Sequence, residues 1–600
     1  MKKVFDGFVA LQGGMNGGTI SNRVPPSQYA MGVNITCRNG LISTRPPFIE
    51  IELESEIEGA VQNIQTGKFQ GMTSYEYEGT SYIVFAVNGS VYLIDPVTET
   101  ITDVTAVPGT FLETEDRLHF CQCERYMVVQ DGTNIPLIIE GTASRKADQV
   151  GSDEVPTGTV MAYCHGRLFV KTDFNRILAG NIHKPNTVTD VLVFTETDYL
   201  AGGGGLYTPA DIGQIIAMTW AQAYGEATGQ GPLMVMCERG IASFNVSVPR
   251  LQWQDLPIMR IEPSGNGCAS ELCVVKMNED LLFMSWAGIQ DFALLNVEVA
   301  SAHRVTNLNT EVLPFVKMET RSLRQFSHGV KFDDRLLYTS IGEEVTALNT
   351  EGSEVTDYRF RGLIALDFAP INGIASLGET RRPAYDGIWT GVHPMGLAVG
   401  IFEHDERCYV MGKDNDGINH LYELMKEQGD DKGNIQIECK LYTRGMYYID
   451  YTGEHPQPVP YHMKRMIDGF LWINSFEGDV DFVLSSCPDN SIVFHEISTI
   501  SVSAPMVTSD APPVSGSAQP RAKEPFPAFK SSECEYITGR NAITGFEFQY
   551  LIEWAGIANL ERLALSAEMS MERKALDCST TTKVLTGTAP DNFDYDVEGD

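Results

Sequence analysis

Apolar runs of four to eight residues recur along the chain, separated by short polar or glycine turns. Three of them show the pattern plainly: Leu168–Asn181, Leu233–Val246 and Leu281–Leu294. In each, an apolar run, a tight turn and a second apolar run follow one another, as in a hairpin from the middle of a small sheet. Units of this kind start near Tyr82, Met127, Leu168, Leu233, Leu281, Leu336 and Leu397, at intervals of 45, 41, 65, 48, 55 and 61 residues. A four-stranded propeller blade takes about 40–50 residues. A β-sandwich would instead place turn signals every ~8–12 residues without this longer beat. The pattern therefore predicts an all-β chain, a β-propeller of six to seven irregular blades over residues 51–426. An additional β-rich domain or set of insertions is expected over 427–575.

The flanking segments carry their own signals. Residues 1–50 read as an N-terminal arm and hairpin. Ser27 is placed to cap a short helical turn through Met31, and Asn39-Gly40 to form a type I′ turn within Asn34–Thr44. Asn309–Arg324 is the best helix candidate, with Asn309 or Thr310 as cap and Pro314 tolerated only in the first turn. Ile435–Tyr451 alternates like a half-exposed strand pair. The stretch 501–532 is proline-rich and reads as a linker or long exposed loop, and residues 576–600 as an acidic tail.

Composition narrows the function classes. The 600 residues hold 44 Lys and Arg against 79 Asp and Glu, a formal charge of -35. Such a chain repels polyanions and gains no affinity from phosphate backbones. Twelve cysteines are too sparse for a disulfide scaffold, and Cys121 and Cys123, in C-x-C spacing, are expected to diverge from their strand. No secretory signal follows Lys2 and Lys3, and no apolar run reaches membrane-spanning length.

Several local motifs touch on chemistry without completing it. Asp414, Asp416, Gly417 and Glu423 half-match a calcium loop, but Gly412 occupies the first ligand position, so a hairpin turn is the reading. Gly202–Gly205 lacks the Lys and Ser/Thr of a P-loop. His393, His404 and His420 near Cys408 match no zinc spacing. Arg381-Arg382 and the Arg359/Arg361 pair are too small for a phosphate-tracking groove. No nucleophile elbow is present, and a carboxylate pair of glycosidase geometry is not readable from sequence. Catalytic, cofactor-binding and metal-ligating residues are accordingly none, and the expectation is a protein that is not an enzyme.

Four stretches carry a family likeness. Ser27–Phe48 (SQYAMGVNITCRNGLISTRPPF), Pro156–Val170, Phe194–Gly205 and Gly229–Gln254 resemble, in the same order, segments of the tail nozzle (tail tubular protein B) group of short-tailed bacteriophages. The resemblance spans roughly residues 5–310. It implies a structural virion protein of β-propeller fold, assembled in the bacterial host cytoplasm as a ring, expected to be a homohexamer. It implies attachment to a portal-adaptor or collar protein, docking of tail fibres or spikes, and transit of double-stranded DNA without specific binding. The insertions past the propeller would then build the tube tip, with 501–532 as a gate or docking arm. The other reading is a virion-associated glycan-binding propeller or polysaccharide depolymerase.

Overall fold

The computed structural model describes residues 2–53, 59–105, 117–184, 187–195, 205–222, 229–248, 250–255, 259–261, 267–277, 280–297, 300–369, 383–452, 455–489, 491–503, 533–538 and 544–569. Gly202–Gly204, Arg381-Arg382, residues 504–532 and the acidic tail lie outside them.

Alternating apolar strands joined by glycine turns can bury one face only by pairing and stacking, and this chain does so around an axis. Six self-contained four-stranded antiparallel sheets form blades 1–5 (residues 69–103, 119–146, 161–207, 215–261 and 274–307) and blade 7. Blade 6 (329–389) is the same four-strand meander, but its last strand carries on into a nine-stranded sheet. The first strands of neighbouring blades lie side by side around the axis and return from blade 7 to blade 1, except that the first strand of blade 4 meets blade 5 at its opening 3-10 turn and second strand. Six apolar clusters each fill one gap between adjacent blades. The gap between blades 5 and 6 is filled by the largest cluster, which runs on into the C-terminal sheets. Six of the hairpin starts read from sequence fall in the second strand of a blade; Leu397 falls in the first strand of blade 7.

Blade 7 is closed by the chain's own beginning. Its three strands Pro394–Phe402, Asp405–Lys413 and Asn419–Leu424 are completed by Phe48–Ile51, with Leu424 opposite Phe48 and Leu421 opposite Ile51. Phe48 is fully buried there.

Residues 427–569 do not pair only among themselves. Met31–Val33 lies between the blade 6 strand Ala384–Trp389 and Glu438–Tyr442, extending the blade into five further strands. A second sheet is centred on Ala558–Met569, which pairs with Lys2–Phe8, Ile42–Thr44 and Lys464–Phe476. Phe548–Ala555 and Ala558–Met569 follow one another across Gly556 (φ +100°) yet belong to different sheets. The two sheets face each other across one core, in which Leu441, Phe482 and Ile552 meet Ile473, Leu560 and Leu563.

Local expectations are corrected in five places. Ile35–Thr36 and Ile42–Thr44 do form a hairpin, but Thr36 pairs with Ser43, so residues 37–42 connect them through a 3-10 turn rather than a two-residue type I′ turn. Ser27–Met31 is not helical; Gln28 N–H donates to Pro25 O in a turn, and Met31 begins a strand. The helix at 309–324 is only Leu313–Met318, with Pro314 in its first turn. It stops because Glu319 turns its carboxylate to Arg324 (2.7 Å) and Ser340 (2.7 Å). Ile435–Tyr451 is not a strand pair: Glu438–Tyr442 takes its partners from residues 31–33 and 551–555. Cys121 and Cys123 do not diverge. Residues two apart on a strand share a face, and both reach the cluster between blades 2 and 3 as free thiols.

Candidate functional site: the filled axis and the composite sheet

The propeller axis is the first place to look for a ligand in such a fold. Here side chains cross it. His119, on the first strand of blade 2, bonds through Nδ1 to Glu271 Oε2, in the 3-10 turn that opens blade 5. Blades 2 and 5 are not neighbours, so the pair spans the ring. Lys171, ending the second strand of blade 3, donates to Ile215 O (2.8 Å), and burial lowers its pKa. Burial, with the Glu271 charge added, pushes the Cys121 thiol up to about 12.

The long hairpin of blade 6 folds over one mouth of the axis. Its strands Arg335–Leu348 and Glu354–Asp367 run past the blade, and Asn88 Nδ2 of blade 1 donates to Leu348 O (2.9 Å). Asp357 on this hairpin accepts from Phe69 N–H (3.2 Å) and faces Lys413 Nζ of blade 7 at 3.2 Å. The two axial carboxylates, Asp357 and Glu271, thus each sit on a basic group.

The motifs singled out in the sequence resolve into structural roles. Asp414 holds its hairpin turn by accepting from Ile418 N–H (2.8 Å) and meets His420 Nε2 at 3.1 Å; His420 Nδ1 lies 2.6 Å from Glu50. Glu423 faces Arg407 across its sheet. Arg359 and Arg361 both clamp Glu343, and Arg359 also donates to Asp414 O (2.6 Å). His393 contributes its carbonyl to Lys413 N–H (3.0 Å), and His404 occupies a left-handed turn position at φ +71°. These residues are not brought to one centre. Among the described residues no group of three or more His, Cys, Asp or Glu is placed to hold a metal ion, and no helix is long and apolar enough to cross a membrane.

Sequence reasoning missed the outer face of the second sheet. In register across it, Phe5 stands opposite Ser566, Ser566 opposite Asp468, Ala564 opposite Phe470 and Arg562 opposite Trp472. Phe5 is 46% exposed, Phe470 41% and Tyr451 56%. Phe5 and Tyr451 lie 6.5 Å apart between ring centroids, Phe470 and Trp472 5.7 Å, and the Arg562 guanidinium sits 4.0 Å above the Trp472 ring. The small Ser566 and Ala564 leave a shallow strip between the two aromatic strands. Exposed aromatic pairs on one sheet face mark a candidate interaction site. Alternation within residues 2–8 and 464–476 was its signal, but only the pairing brings the two segments together.

No family model matches the chain, and no curated protein matches it. Among solved structures, the chain is similar to the C-terminal WD40 domain of Sif2 (7% identity, 71% of this chain and 100% of that one, TM-score 0.33). It is also similar to YCF48 bound to D1 peptide (10%, 64% and 96%, TM-score 0.33) and to BamB from Moraxella catarrhalis (9%, 66% and 98%, TM-score 0.27). Likeness at this level carries no argument about function, and the propeller here rests on its own strand pairing.

Proposed function

We propose that this chain is a structural virion protein of a short-tailed phage tail, a nozzle subunit that assembles as a ring around exiting DNA. The observation that supports this reading most is the aromatic strip on a sheet woven from both ends of the chain, carried by an otherwise strongly acidic molecule. A rigid sheet with an exposed aromatic stripe suits permanent contact with a neighbouring subunit, the collar or a fibre. The filled axis fits the same reading: DNA would pass between copies and not through a propeller. A closed ring needs a heterologous contact whose rotation closes. Six chains at -35 would carry roughly -210 formal charges, and a lumen lined by them would repel phosphates and leave the strand free to slide.

The test is assembly. Phe5→Ser combined with Phe470→Ser changes outward side chains only, so the monomer should fold as before by circular dichroism. Cryo-electron microscopy of particles complemented with this variant should show tails without the ring or without its appendages. Normal tails would remove the strip from the interface, and a wild-type protein absent from virions would end the nozzle reading.

The same strip gives the second reading its one support, because Trp472, Phe470 and Arg562 could stack a sugar face. Under that reading the protein would be a glycan-binding or polysaccharide-cleaving propeller of the virion. Incubation of the pure chain with host surface polysaccharide decides it: release of oligosaccharides would favour the depolymerase over the nozzle.

A further inference from the structure

Within the capped mouth of the axis, hydrogen-bond donors outnumber acceptors. Arg117, two residues before the first strand of blade 2, holds its guanidinium 4.5 Å from the Phe69 ring centroid and 5.5 Å from that of Phe326. Its Nη1 and Nη2 atoms are buried and have no hydrogen-bond acceptor among the described residues. His328, 2% exposed at the entry to blade 6, accepts at Nδ1 from Leu397 N–H (3.1 Å). That bond fixes the tautomer of the neutral ring, so Nε2 carries the hydrogen, and it too is buried without an acceptor. Lys413 Nζ, fully buried, faces Asp357 as its one ion-pair partner among the described residues.

These groups share one space. Phe69 lies under Arg117, its amide meets the Asp357 carboxylate that faces Lys413, and its ring tip abuts Gly396, next to Leu397. The Arg117 charge helps burial hold His328 down at about 3 and also lowers Lys413. A guanidinium, an imidazole N–H and an ammonium, against one carboxylate, leave several donors unsatisfied, each costly when buried. At Arg117, His328 and Lys413 every unfilled position wants an acceptor; the buried Asn419 Oδ1, on the strand paired with Lys413, is an unfilled acceptor beside them.

We infer that the mouth of the propeller axis, between Arg117, His328 and Lys413, binds a tetrahedral oxyanion of the inorganic phosphate type. The arginine fork supplies two parallel N–H groups, the geometry that matches two oxygens of one ligand. His328 and Lys413 reach the others from blades 6 and 7. The ion joins elements of blades 2, 6 and 7 at the one place where the blade 6 hairpin crosses the ring, so it acts as a staple. It is independent of the nozzle reading.

The probe is inorganic phosphate. Wild-type protein purified in phosphate and desalted should release stoichiometric phosphate on denaturation, and its melting temperature should rise with phosphate over chloride at matched ionic strength. Arg117→Lys keeps the charge but loses the fork, and should weaken binding about 10- to 100-fold; Arg117→Met should abolish it. Should Arg117→Met fail to fold, Arg117→Lys alone carries the comparison. Wild-type protein that retains no phosphate and responds to phosphate as to chloride overturns the proposal. So does an acetate response equal to that of phosphate, or undiminished binding in Arg117→Lys.

Discussion

Two basic residues, the buried Arg335 and the half-buried Lys276, show how much a single charge can decide. Arg335 donates through Nε to Asp386 Oδ2 (3.2 Å) and through Nη2 to Thr36 Oγ1 (3.0 Å), while Arg38 holds Asp367 (2.9 Å) and Asp333 (2.7 Å). Asp386 is fully buried, and that burial raises its pKa despite Arg335. Arg335→Met should cost about 3–5 kcal/mol in urea unfolding at neutral pH, because Asp386 would be left buried and unpaired. The loss should shrink as pH falls, since a carboxyl with a raised folded pKa is relieved by protonation. Lys276 is the opposite case. Burial lowers it to about 7, against the pull of the Trp220 ring centroid 3.1 Å from Nζ. Between about pH 7 and 10.5 the unfolded chain holds the proton and the folded chain does not, so stability rises with pH through that window. Lys276→Met should therefore stabilise the protein on the order of 1–3 kcal/mol at pH 6, allowing for partial solvent screening, and by almost nothing near pH 10.

Among the elements, the closing strand Phe48–Ile51 bears most on the ring. It is the fourth strand of blade 7 and seals the circle with residues from the opposite end of the propeller's sequence. Phe48→Ala should cost about 3–5 kcal/mol, and should broaden the thermal transition as blade 7 loosens ahead of the rest. The strands of the blades were readable from sequence because each hairpin declares itself through local alternation and a glycine turn, as Leu233–Val246 does. What was not readable was pairing between distant segments. Phe48–Ile51 has the alternation of any strand, and nothing local marks Asn419–Leu424 as its partner. Glu438–Tyr442 likewise suggested a neighbour a few residues on and found one at 31–33. Sidedness was lost for the same reason: Phe5 and Phe470 are ordinary strand aromatics until Ala558–Met569 lies between them. The axial pair His119 and Glu271 left no trace in spacing, being 152 positions apart.

For the whole molecule, the propeller and the C-terminal sheets are one structure. The nine-stranded sheet begins as blade 6 and ends in the sandwich, and one apolar cluster serves both. Residues 427–569 expressed alone should consequently stay unfolded, lacking the strands Lys2–Phe8, Met31–Val33 and Ile42–Thr44. Co-expression with residues 1–50 should restore protease resistance only when blade 6 is present as well, which limited proteolysis with mass spectrometry would show. A freely folding 427–569 fragment would contradict the shared core.

The interleaving of both ends also sets a timetable for synthesis. Thr44 donates its hydroxyl to Gly556 O, 512 positions further along. At about 5–20 residues per second, roughly 25 to 100 s pass on the ribosome between the appearance of these two residues. Throughout that interval Thr44 and the strand Ile42–Thr44 wait without their C-terminal partners, and blade 7 stays unsealed until Asn419–Leu424 has emerged. The chain must be kept from pairing prematurely with a neighbouring polysome product, so its dependence on chaperones should exceed that of a propeller whose blades close in order.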